Sequence, residues 1–141
     1  MSFEDDSELL VELLARYQRE SENKSRPVIQ LAPLLELVER LELDRYAQQG
    51  GLAGGELREF LERYLDATTR LYHPASLAHQ VSVPHYAGAL GAFVDAFTSN
   101  PMAIYEMGPP AAAIEYYMIN WLLQKVGWTP APLPPGTAQS G

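Results

Sequence analysis

Hydrophobic residues recur at helical spacing in the first half of the chain, where they predict three amphipathic helices. The first helix follows a capping Ser7, and its apolar side consists of Leu9, Leu10, Leu13, Leu14 and Tyr17. The second has Pro33 in its first turn, and its apolar stripe consists of Leu34, Leu35, Val38 and Leu41. The third begins at about Glu56, after the glycine-rich break QQGGLAGG, and its apolar side consists of Leu57, Phe60, Leu61, Tyr64 and Leu65. All three are predicted to be surface helices.

The second half predicts a loop followed by two further helices. The loop is TRLYHPASLAHQVSVP, residues 69–84, in which helical periodicity is lost and two prolines favour extended backbone before them. A helix rich in glycine and alanine is predicted over residues 85–98, and its apolar side consists of Tyr86, Leu90, Phe93, Val94 and Phe97. Pro109 and Pro110 open the last helix, because first-turn amides have no partner inside a helix. The sequence therefore predicts a mainly α-helical chain.

The last helix and the charge pattern both indicate that the second half is buried by other protein. The polar residues of this helix do not share one side of it; they are Glu115, Asn120, Gln124 and Lys125. Residues 1–70 contain 24 charged residues, whereas residues 71–141 contain four. A half with four charges cannot easily cover its own surface. We therefore predict that protein outside this chain covers it.

These changes of character predict a division of the chain into three parts. Residues 1–70 would form amphipathic amino-terminal helices, and residues 71–128 a loop plus two apolar helices. Residues 129–141, TPAPLPPGTAQSG, are rich in proline and glycine and are typical of a linker that leads onward.

Composition removes several classes of protein. The net charge of −8 opposes nucleic-acid binding, which depends on basic groups that displace counterions. Without cysteine there are no disulfides, thiolate zinc sites or thiol catalysts. The acidic start MSFEDDSELL differs from a basic targeting leader, and the uncharged residues 71–94 contain histidines, prolines and a glutamine that lipid would leave unsatisfied. We expect a cytoplasmic protein that does not enter a membrane.

Two sets of residues are candidates for chemistry in their own right, and both are weak. His73, His79 and His85 recur every six residues, but this spacing fits no common metal-binding pattern, so we predict no metal site. Glu106 and Glu115 would be an acid–base pair, although a helix-entry residue and a buried or half-buried hydrogen-bonding partner are the better interpretation. No phosphate-binding glycine motif or nucleophile motif is present. We predict no complete active site and no catalytic residue in this chain.

Two segments resemble a known enzyme family in the order and spacing of their residues. They are YHPASLAHQVSVP, residues 72–84, and NPMAIYEMGPPAAAIEYYMINWL, residues 100–122. The matching features are His73-Pro74, Gln80, Asn100, Tyr105-Glu106, Pro109 and Glu115. Together they resemble the amino-terminal part of the group II pyridoxal-phosphate-dependent amino-acid decarboxylases, which include glutamate, diaminobutyrate and aromatic amino-acid decarboxylases. The resemblance covers about residues 70–128.

This resemblance implies the amino-terminal helical part of a fold-type I α/β enzyme, a lyase that removes the α-carboxylate of an amino acid. The family is dimeric, and its amino-terminal helices wrap over the partner subunit. Its pyridoxal phosphate is held by a lysine in a later domain, and neither Lys24 nor Lys125 lies in that lysine motif. The chain stops at GTAQSG, just before the expected phosphate-binding region. We expect a segment of a longer enzyme, inactive alone, with a second copy and the downstream cofactor domain as partners.

The resemblance also implies which residues contact substrate. In the glutamate decarboxylase branch, the residue matching Gln80 lies at the substrate carboxylate, and the neighbours on the same wall would be His79, Val81 and Ser82. The turn at residues 101–105 corresponds to a loop that enters the opposite subunit's active site, with Ala103 and Ile104 at the substrate. Aromatic decarboxylases carry bulky aromatic residues on the first wall, so this sequence favours a polar or acidic amino acid.

Two alternatives stay open. In the first, the Gln80 side chain contacts no substrate and only forms hydrogen bonds with backbone groups of the loop, as polar loop side chains commonly do. In the second, the whole chain is a non-catalytic helical module that binds a partner through its apolar second half. A large apolar surface marks an interaction site both in such a module and in a segment of an enzyme.

Overall fold

The computed structural model describes residues 2–77, 80–101 and 103–132 of the chain. The chain forms two compact units, Met1–Val83 and Pro84–Gly141. The described residues contain no β-strand, and their helices are α1 (Phe3–Glu22), α2 (Leu34–Arg40), α3 (Leu43–Gln49), α4 (Gly54–Ala67), α5 (Tyr86–Thr98) and α6 (Pro109–Lys125). A short 3-10 helix, Tyr105–Met107, lies between α5 and α6. The mainly helical character predicted from the sequence is confirmed.

Helix α1 begins four residues before the predicted cap at Ser7, which lies inside the helix, so that prediction was wrong. Ser2 is the N-cap: its hydroxyl accepts a hydrogen bond from the amide of Asp5 at 3.2 Å, and the Asp5 carboxylate accepts one from the amide of Ser2 at 2.9 Å. This reciprocal pair is a capping box, which satisfies two amides of the first turn. The predicted apolar stripe starts only at Leu9, six residues after the helix begins, and so it concealed the true beginning.

The capping box predicts opposite outcomes for two similar substitutions. Ser2→Ala removes a side-chain cap and should lower the free energy of unfolding of the chain by about 1 kcal/mol. Ser7→Ala is the matched control in the helix interior, where alanine has the higher helix propensity, so it should be neutral or slightly stabilising. Urea unfolding followed by circular dichroism measures both. Equal destabilisation by the two substitutions would contradict the assignment of the cap.

The stretch after the predicted second helix contains a third element that the sequence reading missed. Helix α2 ends at Arg40 with Leu41 as its C-cap, and Glu42, in the left-handed region at φ 52°, is the N-cap of α3. A non-glycine residue rarely adopts this conformation, and so no local signal marked the corner. Helix α4 in turn begins at Gly54 rather than at Glu56, and the amide of Gly54 donates to the carboxylate of Asp6 on α1 at 2.8 Å. A side chain distant in sequence thus satisfies a first-turn amide of α4.

The first unit is centred on the packing of α1 against α4. Leu13 on α1 is fully buried and Leu9, one turn earlier, is nearly so, as the predicted stripe requires. At the edge of this contact the guanidinium of Arg16 pairs with the carboxylate of Glu62 on α4 at 2.9 Å. Apolar burial supplies the stability here, because partly exposed ion pairs contribute little.

The second unit confirms the two helices predicted there. His85 caps α5, with its Nδ1 accepting from the amide of Ala87 at 3.2 Å. Helix α6 starts at Pro109 and ends in a Schellman motif, in which the amide of Trp128 donates to the carbonyl of Leu123 at 2.8 Å. Gly127 supplies the positive φ of 78° that this motif requires.

The apolar side chains of the second unit are largely solvent-exposed in this chain. Among its described residues no hydrophobic side chain is buried, and the exposed set on α5 consists of Tyr86, Leu90, Phe93, Val94 and Phe97. That other protein covers them stays a prediction. In the part of the chain that the structure describes, no helix is both long enough and apolar enough to cross a membrane.

Candidate functional site

The loop that carries the first predicted wall is held to the first unit at its start. The amide of Arg70 donates to the carbonyl of Val28 at 2.8 Å, and the amide of His73 donates to the carbonyl of Arg70 at 3.1 Å. The amide of Ala75 then donates to His73 Nδ1 at 3.0 Å. These bonds form a tight turn around His73-Pro74.

Gln80 is the predicted wall residue with the most distinctive backbone. Its φ of 48° lies in the left-handed region, and its side chain is exposed, as is that of Ser82. Non-glycine residues seldom adopt this conformation, and such positions are concentrated at functional sites. His79, the remaining polar member of the predicted wall, lies outside the described residues.

The other two predicted substrate residues, Ala103 and Ile104, belong to the second unit. Ile104 is the N-cap of the 3-10 helix, its carbonyl accepts from the amide of Met107 at 3.0 Å, and its side chain is about half exposed. Ala103, directly before it, is exposed as well. Gln80 and Ser82 lie in the first unit and Ala103 and Ile104 in the second, so their role in binding substrate stays a prediction.

A shallow cleft lies at the end of α5, just before Ala103 in the sequence. Its volume is about 290 Å³, and it is lined by Asp95, Ala96, Ser99, Asn100 and Pro101. Ser99 ends α5 with a left-handed φ of 49°, and its amide donates to the carbonyl of Asp95 at 2.9 Å. Two residues of the family-like segment, Asn100 and Pro101, therefore border open space.

The weak candidates from the sequence have local structural roles. His73 and His85 each use Nδ1 to accept a backbone amide, and in the described ranges no three residues of the His, Cys, Asp and Glu types lie close enough to hold a metal ion. Glu106 lies in the 3-10 helix before α6, as expected for a helix-entry residue. Glu115 is exposed in this chain, so the interpretation that it is a buried or half-buried partner was wrong here.

The structure brings together a charged cleft that sequence reasoning missed. It lies in the first unit, encloses about 410 Å³, and its basic lining residues are Arg16, Arg26, Arg40, Arg63 and Arg70. Its acidic lining residues are Glu20, Glu62 and Asp66. A volume of this size is within the range of small-molecule pockets. The lining residues come from four separate stretches of sequence, so no local sequence motif indicates the cleft.

Arg70 forms the buried wall of this cleft and is only 3% exposed. Its guanidinium donates to the carbonyl of Tyr17 at 3.1 Å and to the hydroxyl of Ser21 at 3.2 Å. The same group lies 4.5 Å from the centre of the Tyr17 ring and 3.4 Å from the carboxylate of Glu20. Burial raises the pKa of the Tyr17 hydroxyl. Arg70 therefore joins the end of α1 to the chain that follows α4.

A second polar cluster surrounds the buried Tyr46, whose ring packs edge-to-face on Phe60 of α4 with centroids 5.4 Å apart. Its hydroxyl accepts from the guanidinium of Arg45 at 2.7 Å and donates to the carboxylate of Glu56 at 3.2 Å. Desolvation raises the pKa of Tyr46, and the hydrogen bond from Arg45 holds the pKa of Glu56 below its usual value. Since every member has a partner, this cluster is a structural link between α3 and α4.

Comparison with known proteins gives one informative likeness. No family model matches the chain, and no solved structure matches it. The chain is 27% identical over 85 residues to an L-2,4-diaminobutyrate decarboxylase from Acinetobacter baumannii. The matched part is 60% of this chain but 15% of that enzyme, so the chain spans a small fraction of its relative. The chain thus has a distant, partial likeness to a decarboxylase.

Proposed function

We propose that this chain is the amino-terminal segment of a longer pyridoxal-phosphate-dependent amino-acid decarboxylase, a carboxy-lyase. The observation that carries the proposal is the likeness to a diaminobutyrate decarboxylase, together with the ordered residues from His73-Pro74 to Glu115. The helical character of the described residues is consistent with it.

The segment does not itself hold the cofactor. Pyridoxal phosphate supplies an electron sink at the α-carbon of an amino acid once a lysine has bound it. Lys24 lies in the turn that ends α1, and Lys125 lies 5.2 Å from the centre of the Trp121 ring in α6. Neither belongs to the family's lysine motif or to the charged cleft. In this proposal the cofactor is bound by the downstream domain.

The segment's own contribution is to bind and orient substrate. The amide of Gln80 donates hydrogen bonds to a substrate carboxylate, with His79 and Ser82 beside it on the same wall. Ala103 and Ile104 approach the substrate of the opposite subunit. A wall with these polar side chains favours a polar or acidic amino acid over an aromatic one. The unusual backbone of Gln80 supports this role, since such backbone is found where a side chain must be aimed.

The exposed apolar surface of the second unit supports the assembly part of the proposal. A monomeric soluble protein rarely exposes large contiguous apolar patches. The apolar sides of α5 and α6 would pack on the downstream cofactor domain and on a second copy of the chain. The rival function, a helical module that binds another protein and catalyses nothing, is favoured by the same exposed surface.

Absorbance spectroscopy tests the proposed function. The product of the full reading frame, mixed with pyridoxal phosphate, should show an absorbance band of a protein-bound Schiff base that borohydride abolishes, followed by carbon dioxide release from an amino acid. The 141-residue chain alone should show neither. A folded full-length product without the band would refute the decarboxylase and favour the interaction module.

A further inference from the structure

The charged cleft of the first unit contains a row of five side chains whose charges alternate in sign. Arg70 pairs with Glu20 at 3.4 Å, and Arg26 lies 3.7 Å from the same carboxylate. Arg26 also pairs with Asp66 at 2.9 Å, and Arg40 pairs with the other oxygen of Asp66. This row of ion pairs therefore begins and ends with a guanidinium.

This arrangement leaves one positive charge without a matching carboxylate in the cleft. Three guanidiniums alternate with two carboxylates in this row of ion pairs. The other two arginines of the lining are matched, Arg16 by Glu62 and Arg63 by Glu42, each at 2.9 Å. A surplus of positive charge stands out in a protein whose net charge is −8.

The distances show that the guanidiniums are not saturated. Charge-assisted N–H···O contacts are commonly about 2.7 to 2.9 Å long, whereas both contacts to Glu20 exceed this range. A guanidinium has five N–H donors, so Arg26 and Arg40 keep donors beyond those used on Asp66. Their side chains are 47% and 30% exposed, which leaves them accessible to a solute.

We propose that this cleft binds a small oxyanion, a phosphate or carboxylate group, held by Arg26, Arg40 and the buried Arg70. The planar fork of arginine matches the oxygens of both groups. The volume of about 410 Å³ accommodates a ligand larger than inorganic phosphate, so the anionic group would be one end of a small metabolite. This site is independent of the proposed decarboxylase chemistry.

A purely structural network makes a different prediction. If the ion pairs only hold α1 and the following loop against α4, added anions would act through ionic strength, and phosphate and chloride would have equal effects. A built site instead binds one anion in preference to another at equal ionic strength, because the positions of the guanidinium donors select its shape.

Isothermal titration calorimetry on the 141-residue chain tests the site with inorganic phosphate and with succinate, each at constant ionic strength maintained by chloride. Saturable binding of one ligand per chain is expected, and the tighter ligand identifies the phosphate or the carboxylate as the preferred group. Arg40→Gln should weaken binding about tenfold, because one charge-assisted contact is lost. Arg19→Gln removes the same charge from the exposed side of α1 and should leave the affinity unchanged.

A substitution that is expected to tighten binding shows that the weaker binding of Arg40→Gln is not caused by misfolding. Asp66→Asn removes the carboxylate that shares Arg26 and Arg40, so it should tighten binding of the same anion several-fold. Absence of binding to the folded wild-type chain, or equal affinity in the wild type, Arg40→Gln and Asp66→Asn, would overturn the proposal. Neither result bears on Schiff-base formation by the full-length product.

Discussion

Replacing Arg70 with methionine is expected to lower the free energy of unfolding of the first unit by about 3 kcal/mol. Methionine keeps most of the side-chain volume but donates no hydrogen bond. The fully buried hydroxyl of Ser21 and the carbonyl of Tyr17 would each lose their guanidinium donor, and the stacking on the Tyr17 ring would also be lost. Glu20 would keep only its long contact to Arg26.

Chemical unfolding of the whole chain, followed by circular dichroism, measures this loss. Arg19→Met is the matched control, because it makes the same substitution at an exposed position of α1 and should change stability by less than about 0.5 kcal/mol. If Arg70→Met and Arg19→Met have the same stability, Arg70 does not join α1 to the chain after α4 in solution.

The 141-residue chain is expected to self-associate through the apolar side of α5, and Leu90→Glu should weaken that association more than tenfold. Leu90 and Val94 are each more than half exposed and lie one turn apart on the same side of the helix. An interface that buries this side would have to bury the new carboxylate without a partner, which costs more than 1.4 kcal/mol, the equivalent of a factor of ten. Sedimentation equilibrium over a range of concentrations measures the association.

Ala92→Glu provides the matched control for this experiment. It introduces the same charge on α5 but lies on the opposite side from the apolar residues, so it should leave the association constant within about twofold. A wild-type chain that stays monodisperse, monomeric and cooperatively folded at high concentration would contradict the assembly part of the proposal, because its apolar surface would then need no cover.

Local sequence signals located most of the helices. The prolines that open α6 and the regular apolar stripes of α1 and α5 are local signals, and the structure places helices where they predict them. The boundaries that were wrong depended on other information. The break between α2 and α3 depends on the left-handed backbone of Glu42, which a glutamate in the sequence does not indicate. The start of α1 lies in a first turn that precedes the predicted apolar stripe.

The candidate sites divide in the same way. The family-like segments, containing Gln80 and Ile104, were recognised from residue order, and the structure adds the left-handed backbone of Gln80 and the capping position of Ile104. The charged cleft was not foreseen at all. Its arginines occur at positions that look like ordinary surface charges, because their neighbours in sequence give no sign of which carboxylates they will meet.

The sequence by itself determined the helical class, the loop between the two halves and the contrast between a charged first half and an apolar second half. Only the tertiary structure decided that Asp6 caps α4 from 48 positions away and that Arg70 is buried against residues 49 to 53 positions before it. The physical reason is range. Helix propensity, capping and proline effects act between neighbours along the chain, whereas burial and ion pairing depend on which helices approach each other and in what orientation.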